Sequence, residues 1–142
     1  MTYRGDLDLS VELTDLEISF SGNFAANDYM NFSIRNNNIT GLSVSGNTIT
    51  LPAGSFLVKT MIGADRTLDS DDFTYQLELD GSLVGTLGQT ETSSSRKTGV
   101  DHVAVAFDLE STGSLKLKIV SATASSWTVN SDYCYVLIMR SV

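Results

Sequence analysis

Apolar and polar side chains alternate over most of this chain. From Leu7 the apolar residues fall at positions 7, 9, 11 and 13, and after Thr14-Asp15 they resume at 16, 18 and 20. At helical spacing these positions scatter around the wheel, whereas at a period of two they share one face with a single change of phase. The pattern predicts two strands, or one strand with a bulge at Thr14-Asp15.

Further along, the alternation returns in short units: Met30, Phe32, Ile34; Leu42, Val44; Ile49, Leu51; and then the denser SFLVKTMI at 55 to 62. The later units are FTYQLEL, SLVGTL, HVAVAFDL (102 to 109), SLKLKIVS (114 to 121) and YCYVLIMR (133 to 140). Turn chemistry separates them. Leu51-Pro52-Ala53-Gly54 has the residue order of a type I turn, and Asp80-Gly81 between FTYQLEL and SLVGTL is a strong hairpin signal. Two polar stretches, 65 to 72 and 88 to 99, read as loops. The count is about eight to ten strands, and the fold class is all-β: a compact antiparallel jelly-roll β-sandwich.

Composition narrows the function more than the fold. A chain of 142 residues is one ordinary domain with enough core to need no metal or disulfide staple. Ser and Thr supply 34 positions and Lys plus Arg only 9, which suits strands and turns rather than solvated helices. With 17 acidic residues the net charge is -8, which repels a polyphosphate backbone and excludes nucleic acid as the expected partner. One Cys and one His cannot build a four-ligand zinc site or a disulfide. No apolar run is long enough for a membrane span, and MTYRGDLDLS has no apolar signal core, so the expectation is a chain that folds in the cytoplasm.

Individual residues add little chemistry. His102 lies on a strand whose neighbours Asp101 and Val103 point the other way, and no nucleophile motif accompanies it. Asp65, Asp69, Asp71 and Asp72 could offer oxygen ligands to calcium, but their spacing is not that of an EF-hand. Arg4-Gly5-Asp6 and the sequons at Asn31 and Asn38 would matter only on an exported chain. Trp127, in SATASSWTVNS, is a candidate ligand contact in a loop or an aromatic plug. Cys134 has no basic neighbour closer than Arg140 and reads as a small buried apolar group. The expectation is no enzyme and no cofactor.

The stretch GNTITLPAG followed by SFLVKTMI, residues 47 to 62, together with the closing strand YCYVLIMR, resembles the jelly rolls of the tumour-necrosis-factor and complement-globular-head type, in the form found in bacteriophage virion proteins. The likeness covers about residues 25 to 142. Residues 1 to 24, which carry a net charge of -4, fall outside it and read as an added docking element, with Leu7, Leu9, Val11 and Leu13 as capsid-docking candidates. Cys134 stands where cellular members carry Gly.

What the resemblance implies is a homotrimer. Because SFLVKTMI and YCYVLIMR are apolar at nearly every position, both faces need cover, and Phe56, Val58, Tyr133, Tyr135 and Leu137 are the candidate trimer contacts. The expected function is a capsid decoration or cement protein on the outside of a phage head, partnered by the major capsid protein. The alternative is the receptor- or glycan-binding head of a fibre, meeting a host surface through loops such as that of Trp127.

Overall fold

The alternation is realised as strands. A computed structural model describes residues 11–20, 25–65, 72–91, 98–122, 128–129 and 134–141, and these contain eleven strands and no helix. They are β1 (Val11–Ser19), β2 (Asn31–Asn37), β3 (Ser43–Ser45), β4 (Thr48–Leu51), β5 (Gly54–Asp65), β6 (Asp72–Leu79), β7 (Ser82–Glu91), β8 (Thr98–Leu109), β9 (Gly113–Ala122), β10 (Thr128–Val129) and β11 (Tyr135–Ser141).

All pairings between them are antiparallel. The first sheet runs β8-β5-β11-β1-β2, with the short β10 continuing the β11 edge of β5. The second runs β3-β4-β9-β6-β7. One continuous core lies between them. The first sheet gives it Leu16, Ile18, Phe56, Val58, Val136 and Ile138, and the second gives it Ile49, Phe73, Tyr75, Leu77, Leu117 and Ile119. Each such side chain is worth roughly 1.5–3 kcal/mol of burial, so the inward phase of every strand is strongly specified. The result is an all-β jelly-roll sandwich.

Two local predictions meet the structure directly. Asp80 and Gly81 have φ of 50° and 87° between the paired Leu79 and Ser82, which is the two-residue hairpin with both central residues left-handed that Asp-Gly favours. The pairing of β1 with β2 shifts register between Asp15 and Leu16, but the extra residue is Arg35 on β2. Thr14, Leu16 and Ile18 are all buried, so β1 alternates without a break and the bulge expected at Thr14-Asp15 is not in this strand. It is one strand, not two.

Residues 11 to 20 are not an addition to the jelly roll. β1 lies between β11 and β2, and it buries Thr14, Leu16 and Ile18. The boundary expected at residue 24 therefore cuts through the sandwich: without β1, the long edge of β11 would have no partner and the core would lose two of its largest buried side chains. Beyond the end of β4, the segment 25 to 30 takes up the free edge of β9. Asn27 N–H donates to Ile119 O, Ile119 N–H to Asp28 O and Met30 N–H to Leu117 O, at 2.8–3.0 Å.

Candidate interaction face

The outward face of the first sheet departs from what solvent contact selects. An antiparallel sheet with one wet side alternates apolar-in with polar-out. Here the cross-strand registers of β1, β11, β5 and β8 stack the outward residues in rows. Ser141, Ser55 and Asp108 form a polar end row. Next come Leu13, Met139, Leu57 and Ala106, all apolar; then Asp15, Leu137, Lys59 and Ala104; then Tyr135, Met61 and His102. Leu57 is 36% exposed.

This apolar face is slightly concave in two places. A depression of about 430 Å³ is lined by Ser55, Leu57, Ala106, Asp108, Met139 and Ser141. A second, of about 350 Å³, has Lys59, His102, Ala104 and Tyr135 on its walls.

The electrostatics of the face come from few groups. Ser55 Oγ donates to Asp108 Oδ1 at 2.6 Å. Glu17, which follows Asp15 outward on β1, has Arg35 Nε at 3.9 Å. Behind the face, Arg140 pairs with Glu12. His102 has no carboxylate of a described residue beside it in its depression: Asp108 is six residues along the strand, about 20 Å away at strand rise, and the Asp101 carboxylate accepts a hydrogen bond from Gln89 N–H at 2.6 Å. Among the described residues the geometry does not assemble a Ser/His/Asp set. Among the described residues no three His, Cys, Asp or Glu side chains come together as a metal site.

The contact residues expected from the sequence divide by phase. Tyr135 and Leu137 of β11 face outward, half-buried. Phe56 and Val58 of β5 do not: they are 3% and 0% exposed and point into the core, so the outward positions of that strand are Leu57, Lys59 and Met61. The reason is the period of two, with both phases of SFLVKTMI apolar. One signal is available, because Lys59 cannot sit unpaired in a core, and it marks its own phase as the outer one. Leu13 joins the all-apolar row. Val11 is paired to Ser141 through its backbone, while Leu7, Leu9, Trp127 and Tyr133 lie outside the described residues, as do Asp69 and Asp71 of the acidic stretch.

Cys134 is buried as expected, its thiol donating to Gly63 O at 3.0 Å. The outer face of the second sheet holds a different cluster, which the sequence alone does not reveal. Tyr29 Oη lies 3.1 Å from both oxygens of Glu78, Lys118 Nζ is 3.8 Å from the same carboxylate, and Lys116 Nζ sits 5.0 Å above the Tyr29 ring. Partial burial first, then the hydrogen bond and charge of Glu78, hold the Tyr29 phenol above its ordinary pKa.

Sequence comparison finds no matching family model and no curated relative. Structure comparison does find neighbours. Crystal structures of murine APRIL at pH 8.0, pH 5.0 and pH 8.5 each match with a TM-score of 0.66 at 12% identity, covering 92% of this chain and 99% of that one. The likeness shows the fold alone. What is shared is the jelly-roll sandwich, similar to the tumour-necrosis-factor type.

Proposed function

We propose that this chain is a non-enzymatic, self-associating jelly roll: a homotrimer that serves as a decoration protein on the outer surface of a phage head. One observation carries the self-association, the row Leu13, Met139, Leu57, Ala106 and its neighbour Leu137 facing outward on four adjacent strands. Apolar area of this kind, continuous and ringed by polar groups, is what a subunit contact removes from water. The number three and the virion setting rest on the resemblance of residues 47 to 62 and of the closing strand to trimeric phage jelly rolls. In this reading the major capsid protein is the partner, and Leu7 and Leu9 are the docking residues.

Light scattering on the purified protein measures the state directly. The expected mass is three times the 15.3 kDa chain, and a single-chain mass at all concentrations overturns the self-association. The setting is tested with gold-labelled antibody on particles purified from the source culture. Label over the head surface supports decoration, label at fibre tips transfers the reading to a receptor-binding head, and unlabelled particles overturn the virion role.

A further inference from the structure

A cation stands in the middle of the apolar face. Lys59 projects outward from β5 with Leu137 and Ala104 opposite it on the flanking strands, and with Leu57 and Met61 two residues away on its own strand. Its stem can lie along those side chains, but its ammonium group needs water or a counter-charge. Covering this face with another copy removes the water, and an ammonium buried without a partner is strongly unfavourable.

The described carboxylates within reach of the face are nearly all engaged. Glu17 has Arg35, Asp108 has the Ser55 hydroxyl, Asp101 has Gln89 N–H and Glu12 has Arg140. Asp15 is the exception: no hydrogen bond or ion pair joins its carboxylate to another described residue. It stands in the same cross-strand row as Lys59, on the far side of Leu137. Two strand spacings separate their backbones, about 10 Å, and no ion pair connects them within one chain. Among the described residues, the face thus carries an unmatched positive charge on β5 and an unmatched negative charge on β1, with the apolar outward residues of β11 between them.

We propose that Lys59 of one copy pairs with Asp15 of the next across this face, each copy giving its lysine to one neighbour and its aspartate to the other. The proposal rests on the self-association inferred above and identifies what sets its register. The pair supplies the counter-charge that Lys59 needs when the face is covered. It also opposes any packing that slides the strips past one another, since a displaced copy would bury both charges unpaired. His102 and Tyr135 in the next row, Asp108 in the polar end row, and Glu17 with its Arg35 are the other charged or titratable groups described on this side of the sheet.

Charge reversal tests it, with association followed by sedimentation at about 0.05 and about 0.5 M salt, which spans strong to weak screening. Lys59→Glu alone and Asp15→Lys alone should each weaken association about tenfold or more, and the double reversal should recover most of that loss. The neutral pair Lys59→Met with Asp15→Leu should associate but lose the salt dependence of the parent, which keeps the test decisive if a reversed variant folds poorly. Single reversals that associate like the parent, or a double reversal no better than either single, overturn the pair while leaving self-association standing. A parent chain that stays monomeric overturns the self-association itself, and the pair with it.

Discussion

The two sheets present the same inward pattern and opposite outward ones. On the second sheet the outward positions of β6 and β9 include Thr74, Gln76, Glu78, Ser114, Lys116 and Lys118, each half-buried or buried. Glu78, Lys116 and Lys118 are tied together through Tyr29, while Thr74 is bonded to Ser121 and Gln76 to Gly85 O. On the first sheet the equivalent layer is dominated by Leu13, Leu57, Leu137, Met139, Ala104 and Ala106, with Asp15, Lys59 and His102 set among them and few polar links between strands. Inward alternation determines that a sandwich forms, because both sheets have it. Outward alternation determines which side meets water, and only the second sheet is finished for that role. Its most exposed exceptions are Leu83 and Leu87 on the edge strand β7, 46% and 52% exposed.

The largest expected effect comes from putting charge on each face in turn. Leu57→Asp with Leu137→Asp should abolish self-association, with the fold intact by circular dichroism, since both side chains point away from the core. Leu83→Asp with Leu87→Asp should leave the mass unchanged although those leucines are the more exposed. If the second variant dissociates the protein as completely as the first, the two faces do not differ in the way proposed.

A smaller effect, on stability, runs in the other direction. Glu78→Ala removes the acceptor of the Tyr29 hydroxyl and the partner of Lys118, and a hydrogen bond to a charged group is worth about 1.5–3 kcal/mol. Asp108→Ala on the first face removes an exposed contact with Ser55 and should cost less than about 1 kcal/mol. Urea midpoints of the two variants compare them directly. Equal losses would mean that the second face is no more tightly cross-linked than the first.

Much of the fold is legible in the residues themselves. The period of two and the Asp80-Gly81 hairpin identify strands and a connection locally, and local signals survive in a single sequence. The outward phase of β11, with Tyr135 and Leu137, is legible as well. Two things are not. Phe56 and Val58 read as outward because every position of SFLVKTMI from Phe56 on, Lys59 and Thr60 apart, is apolar, so the phase depends on what faces it from the other sheet. The place of β1 between β11 and β2 depends on pairings more than 100 residues apart in sequence, such as Leu13 with Met139, which no local pattern encodes. The Tyr29 cluster is hidden for the same reason: Glu78 and Lys118 come together only through the register of β6 and β9.

The smallest expected effect lies in the core that both faces share, and it separates core from surface chemistry at high pH. Tyr75 is fully buried, and its hydroxyl has no hydrogen-bond partner among the described residues. Its ring fits because the cross-strand residue is Gly88, where a Cβ would come within 2.7 Å of Cε2 and 2.8 Å of Cε1. Burial first, then the charges of Asp101 and Cys134, hold this phenol far above its ordinary pKa. A raised folded pKa means that stability is fully present below the unfolded value of about 10 and falls as pH rises past it, because the unfolded chain then ionises where the folded one does not. Tyr75→Phe keeps the ring and removes the unpaired oxygen, so stability near pH 8 should be unchanged or higher by up to about 1 kcal/mol. Between about pH 9 and 11 the variant should lose stability less steeply than the parent. Tyr29→Phe on the second face should lower stability at pH 8 instead, since its hydroxyl is paired with Glu78. If Tyr75→Phe is destabilising at pH 8, or its alkaline slope matches that of the parent, the buried hydroxyl is paired after all and its burial is not what shifts it.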